Sequence, residues 1–179
     1  MDAGLAGVIG AAVGVLGGLG SGFIAFLSQN TQQRRQQIID REHRLEQNRR
    51  EAYLTCIETS KHVTASWWKL VNLLLSDERS PEQCRQYVRE AQHGWVTFTK
   101  TVDAVSIAGP NEMADVVQSL REAMWRMDRA GTAWYECLRS VSNAGPDSCE
   151  EEFRSAEAAR TQQGFIFLAA ARRALVAEK

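Results

Sequence analysis

The stretch that decides the architecture is AGLAGVIGAAVGVLGGLGSGFIAFL, which occupies residues 3–27. Its 25 residues carry no ionisable side chain, and Ser21 is the only polar one. At about 1.5 Å rise per residue, a helix of this length extends roughly 37 Å and can cross a hydrocarbon core of about 30 Å. Unpaired backbone amides are costly in lipid, so a single spanning segment must be helical. The sequence therefore predicts a transmembrane helix within residues 1–28.

Small residues are segregated on one half of this predicted helix. Eight of the chain's 13 glycines lie between Gly4 and Gly22, and four of them recur at four-residue spacing from Gly10 onward. The small-residue face comprises Ala6, Gly7, Gly10, Gly14, Gly17, Gly18, Ser21 and Gly22. Small residues let helix backbones approach closely while bulky residues on the other half face lipid, so the face predicts a homo-oligomer. A glycine-rich anchor without a partner is the alternative.

The charge distribution around the span predicts its orientation. No Lys or Arg precedes the apolar stretch, whereas six arginines fall within residues 34–50, beginning with the membrane-proximal pair Arg34 and Arg35. The positive-inside rule then places the N-terminus outside and the C-terminal part in the cytoplasm, as in a bacterial plasma membrane. Arg34 and Arg35 would also attract anionic head groups of the lipid bilayer.

Two further observations support an uncleaved span and a cytoplasmic location. A cleaved signal peptide is not expected, because the apolar stretch is long, has no basic residues before it and no A-x-A site after it. The four cysteines form neither a C-x-x-C pair nor a zinc-binding pattern, which agrees with a reducing compartment.

The remainder of the chain predicts a polar stalk followed by a helical bundle. Residues 29–50 are almost entirely polar and contain no helix breaker. Prolines divide residues 51–179 into four helical stretches, at about 51–75, 81–107, 110–142 and 147–177. In each stretch apolar residues recur at spacings of three and four, which indicates one buried stripe per helix. The predicted fold class is all-α, and the short turns favour an antiparallel, up-down bundle.

Motifs that carry chemistry are sparse. Glu90 and His93 match the Glu-x-x-His motif of di-iron bundles, but such bundles need two copies, and an exposed helix face is the simpler interpretation. Glu58 and His62 are one turn apart, which indicates a surface contact. The sequence shows no nucleotide-binding loop, and its net charge of −1 gives no basic excess for nucleic acid. We expect a non-enzymatic chain with no cofactor, no metal and no nucleic-acid partner.

Tryptophans are the strongest candidates for contacts outside the bundle. Trp67 and Trp68 are adjacent, so both cannot face the same core, and Trp125 lies beside the inward position Met124. Aromatic anchors are common in interfaces, which makes Trp67, Trp68 and Trp125 candidate partner contacts. Packing beneath a neighbouring helix of the same chain is the alternative.

Together these features predict a single-span membrane protein that self-associates through its glycine face. Its cytoplasmic bundle would then act as a scaffold or protein-interaction module for a cytoplasmic protein partner. The alternative function is an oligomeric pore-forming or membrane-disrupting effector, with the bundle controlling assembly. A conducting pore is less favoured, because Ser21 is the only polar side chain on the small-residue face.

Overall fold

The computed structural model describes the backbone of residues 3–76, 80–139 and 146–176, and the side chains of residues 36–37, 39–76, 80–139 and 147–176. This part of the chain forms four α-helices and no strand, which confirms the prediction of an all-helical bundle. The helices are α1 (Ala3–Leu74), α2 (Pro81–Ala108), α3 (Asn111–Arg139) and α4 (Pro146–Val176).

Two compact units make up the chain, residues 1–45 and residues 46–179. In the first unit, the described side chains all lie exposed to solvent. None of the helices, as far as their side chains are described, is long and apolar enough to cross a membrane. The predicted span at residues 3–27 lies outside the described side chains.

Local sequence signals explain where α2 begins and how its end is held. Ser80 is extended (φ −83°, ψ 114°), and its hydroxyl accepts a hydrogen bond from the backbone N–H of Gln83 at 3.5 Å. Ser80 is therefore the N-cap of α2, although its hydrogen bond is long. At the other end, Arg49 Nε of α1 donates to the backbone carbonyl of Ala108 at 2.7 Å, which satisfies a terminal carbonyl of α2.

Aromatic side chains join α4 to α1 and α3 within the second unit. Tyr53 and Phe167 meet edge to face, with ring centroids 6.2 Å apart. Phe153 contacts both Trp68 and Trp134, at centroid distances of 5.8 Å in each case. Such pairs contribute about 0.5–1.5 kcal/mol each beyond the burial of their area. They fix α4 against the two helices that flank it.

The contact between α1 and α2 includes a small polar component. The hydroxyls of Thr59 and Thr101 lie 3.1 Å apart, one on each helix. Thr101 also donates to the carbonyl of Phe98 within α2, at 2.7 Å. Because Thr101 is buried, these bonds satisfy a hydroxyl that would otherwise cost about 1–3 kcal/mol inside the bundle.

Candidate interaction surfaces

Trp67 lies in the interior, at the place where α1 crosses α3. Its side chain is fully buried, and its Nε1 donates to Oδ1 of Asp128 at 3.1 Å. Gly131, one turn after Asp128, makes room for the indole, because a Cβ at that position would lie closer than 3.0 Å to three ring carbons of Trp67. This candidate partner contact is therefore used for packing within its own chain.

Trp68 and Trp125 occupy different environments. Trp68 is half-buried and packs its edge against Phe153 of α4. Trp125 is 47% exposed, and the guanidinium of Arg129 lies 4.9 Å from its ring centroid. Of the three predicted tryptophans, Trp125 offers the largest open aromatic surface, with a cation held over its face.

The remaining predicted site residues lie outside the described side chains. They are the small-residue face, from Ala6 to Gly22, and the membrane-proximal pair Arg34 and Arg35. Their predictions stand on the sequence.

A polar groove runs between α1 and α2, with a volume of about 370 Å³. We call it the α1–α2 groove; its lining residues are Glu58, Thr59, His62, His93, Gly94 and Thr97. The structure thus brings together His62 and His93, which the sequence presented in two separate motifs. Gly94 forms part of the floor, where a Cβ would lie 3.0 Å from Cγ2 of Val63.

Glu90, the acidic residue of the Glu-x-x-His motif, is engaged by neighbouring side chains. Among the described residues, no group of three or more His, Cys, Asp or Glu side chains is arranged to hold a metal ion. Glu90, the partner of His93 in the Glu-x-x-His motif, accepts a hydrogen bond from Nε2 of Gln86 at 2.9 Å. Its other carboxylate oxygen lies 3.9 Å from Nζ of Lys69. These contacts tie Glu90 to neighbouring side chains.

An apolar groove lies between α1 and α4 and reaches Leu120 of α3. We call it the α1–α4 groove; its volume is about 200 Å³. Its apolar walls are Ile57, Leu120, Phe165, Phe167 and Leu168, and two cations, Lys61 and Arg160, also line it. Pockets that bind small molecules share this combination of apolar walls and a few polar groups, although many are larger, at about 300–1,000 Å³.

Arg160 places a partly buried positive charge in the wall of the α1–α4 groove. Its Nε is buried and has no hydrogen-bond acceptor among the described residues. Burial lowers the pKa of the Arg160 guanidinium, and the charge of Glu157 opposes that shift only in part. Glu157 itself accepts a hydrogen bond from the hydroxyl of Thr161 at 2.9 Å. Arginine stays protonated in proteins, so a partly desolvated positive charge remains in the wall.

Sequence reasoning missed this groove, although one signal was available. Residues 165–168 read FIFL, four large apolar side chains in succession. A helix with one buried face cannot cover four consecutive residues, because successive side chains are about 100° apart. Phe167 is buried, whereas Phe165 is 68% exposed at the groove.

The structure also brings two cysteines together across the connection between α3 and α4. Cys137 of α3 and Cys149 of α4 are in thiol form, and a hydrogen bond with Cys149 is the main cause that raises the pKa of Cys137. Cys56 is fully buried, and burial raises the pKa of its thiol to about 11. The first pair of thiols interacts directly, whereas Cys56 is shielded from reagents.

No family model, curated protein or solved structure matches this chain.

Proposed function

We propose that this chain is a single-span membrane protein that self-associates through its small-residue face and presents the helical bundle as a protein-interaction module. The observation that carries the proposal is the uncharged segment at residues 3–27, with its glycines gathered on one half of the helical wheel. In lipid, such a face allows close backbone approach between identical helices. The expected product is a homo-oligomer that clusters the bundles on one side of the bilayer.

The surface of the bundle supports the second half of the proposal. Trp125 is 47% exposed, with the guanidinium of Arg129 over its ring. Aromatic side chains contribute strongly to binding at protein interfaces, whereas their exposure brings no benefit to an isolated bundle. The clustered arginines that begin at Arg34 favour a cytoplasmic bundle. A cytoplasmic protein partner would therefore meet the Trp125 ring.

Self-association can be tested with a matched pair of substitutions in the span. The full chain is placed in phosphatidylcholine proteoliposomes, and oligomers are trapped with an amine-reactive crosslinker. Gly14→Leu combined with Gly18→Leu adds bulk to the small-residue face and should abolish crosslinked oligomers. Val15→Leu adds bulk to the opposite half of the helix and should leave the oligomer intact.

The outcomes separate the proposal from its alternatives. Oligomers that survive the double glycine substitution would show that the small-residue face is not the contact surface. Recovery of the chain in the soluble fraction after alkaline carbonate extraction would contradict insertion of residues 3–27 into the membrane. Release of an encapsulated dye, dependent on Gly14 and Gly18, would favour the pore-forming alternative over the interaction module. A tight seal at high protein density would favour the module.

A further inference from the structure

The α1–α4 groove has the chemistry of a binding site that goes beyond the proposed membrane and scaffold roles. Its walls are mostly apolar, and its two charged side chains are both cationic, Lys61 from α1 and Arg160 from α4, beside the hydroxyls of Ser60 and Thr161. The groove lies wholly within the second unit. It exists independently of what residues 3–27 do.

The unsatisfied donor at Arg160 points to an anionic occupant. Its Nε is buried without an acceptor, and a buried N–H without an acceptor destabilises the protein until one is supplied. Glu157, the nearest acidic residue on the same helix, already accepts from Thr161. A carboxylate matches the planar guanidinium fork, because its two oxygens can accept two parallel N–H donors.

The apolar walls require that the anion carry a hydrophobic chain. Phe165 lines the groove and leaves most of its ring in solvent, so a bound chain would cover it. Gly164 adds space at the same level, because a Cβ at this position would meet nothing within 4 Å. The volume of about 200 Å³ limits the bound chain to a short one.

We propose that the α1–α4 groove binds a single-chain amphiphile with a carboxylate head, such as a medium-chain fatty acid. Arg160 would donate hydrogen bonds to the carboxylate head group, with Lys61 as the second cation at the groove. The alkyl chain would lie along Phe165 and over Gly164. Burying that chain favours binding, and a shift of the Arg160 side chain that turns its buried Nε toward the head group would also satisfy that donor.

Photolabelling of the full chain in phosphatidylcholine nanodiscs tests this site. The probe is a decanoate analogue with a diazirine near the end of its chain, and labelled peptides are located by mass spectrometry. The expected label falls within residues 57–61 and 160–168. Unlabelled decanoate should compete, whereas decan-1-ol, which lacks the charge, should not.

Substitutions at the groove and beside it make the test specific. Gly164→Leu fills the open space and should abolish labelling, while Gln162→Leu adds the same side chain at an exposed position that does not line the groove. Arg160→Met keeps the aliphatic stem and should reduce labelling about ten-fold, because it removes a charge-assisted hydrogen bond.

Three results would overturn the assignment. These are label outside the two segments, equal competition by decan-1-ol, or unchanged labelling in Gly164→Leu. Tryptophan emission during thermal unfolding shows whether each variant is folded. If Arg160→Met does not fold, Gly164→Leu still decides the question, because its side chain enters open space. Failure of this test leaves the oligomer assay unaffected, since that assay depends on residues of the span.

Discussion

Replacing single helical glycines by alanine should change stability in opposite directions, according to what lies beside each one. Alanine favours a helix interior by about 1 kcal/mol over glycine. At Gly164 a Cβ meets nothing within 4 Å, so Gly164→Ala should stabilise the bundle by about 0.5–1 kcal/mol. At Gly94 a Cβ would lie 3.0 Å from Cγ2 of Val63, so the gain and the crowding should roughly cancel.

Gly131→Ala should instead be destabilising. The added Cβ would lie closer than 3.0 Å to three carbons of the Trp67 ring, where contact distances are about 3.5–4.0 Å. The ring is fully buried, and moving it would also stretch the 3.1 Å hydrogen bond to Asp128. Overpacking of about 3 kcal/mol and a weakened hydrogen bond of about 1 kcal/mol outweigh the helix gain of about 1, for a net loss of about 3 kcal/mol.

The assay is thermal unfolding of the full chain in nonionic detergent, followed by tryptophan emission. All five tryptophans lie between residues 67 and 134, so the signal reports the bundle and not the N-terminal segment. At about 2–4 °C per kcal/mol, Gly131→Ala should lower Tm by about 6–12 °C and Gly164→Ala should raise it by about 1–4 °C. A rise in Tm for Gly131→Ala would contradict the clash between the added Cβ and the Trp67 ring. Trp67→Phe, which removes the fused ring, should relieve part of the Gly131→Ala loss, and an unchanged loss would also contradict that clash.

Three further predictions follow from the titratable groups. Burial raises the pKa of Asp128 above its ordinary 3.8, so ionisation destabilises the fold as pH rises through the raised value. Asp128→Asn keeps an acceptor for Trp67, so it should raise Tm at pH 7, with the gain disappearing below pH 3.8. Oxidised glutathione should convert Cys137 and Cys149 to a disulfide, releasing two glutathione thiols. Closing a loop of about 13 residues should stabilise the bundle by about 3 kcal/mol, measured as increased resistance to urea. An unchanged urea midpoint would contradict the proximity of the two cysteines. Iodoacetamide at pH 8 should leave Cys56 unmodified in native protein and alkylate it in urea, and rapid native alkylation would contradict its burial.

The core was largely predictable, because helical periodicity carries the necessary information. Tyr53, Val63 and Phe98 each belong to a row of residues spaced by three and four along its helix, and all three are buried. Val116 and Val117 are adjacent apolar residues of α3, and the structure buries Val117 while Val116 is only partly buried. Adjacent residues cannot be separated by pattern alone, since the helix phase drifts by about 20° per seven residues.

Buried hydroxyls could not be predicted from hydrophobic patterning. Ser60, Thr64 and Ser66 lie inside the bundle, although their residue types indicate a polar face. Each donates to a carbonyl of its own helix, three or four residues earlier, at 2.8–3.1 Å. A hydroxyl satisfied in this way needs no water and no other helix, so it is tolerated in the interior.

The candidate binding groove was also inaccessible to sequence reasoning, because it depends on helices that are distant in the chain. Arg160 appears in the sequence as one more arginine in a polar segment, and only the packing of α1 against α4 shows that its Nε is buried. The same holds for His62 and His93, which share the α1–α2 groove although 31 residues separate them. Pairings of this kind follow from the registers of neighbouring helices, which periodicity does not define.

Two glycines of the bundle show how the same residue serves opposite purposes. Gly131 gives up its side-chain volume to a neighbour, because the Trp67 ring occupies the space where a Cβ would lie. Gly164 leaves its space open, although alanine there would stabilise the helix by about 1 kcal/mol. Packing explains the first glycine and not the second. The open space at Gly164 lies one turn from the Arg160 donor and beside the exposed ring of Phe165, so a ligand that fills it is the simplest reason to forgo that stability.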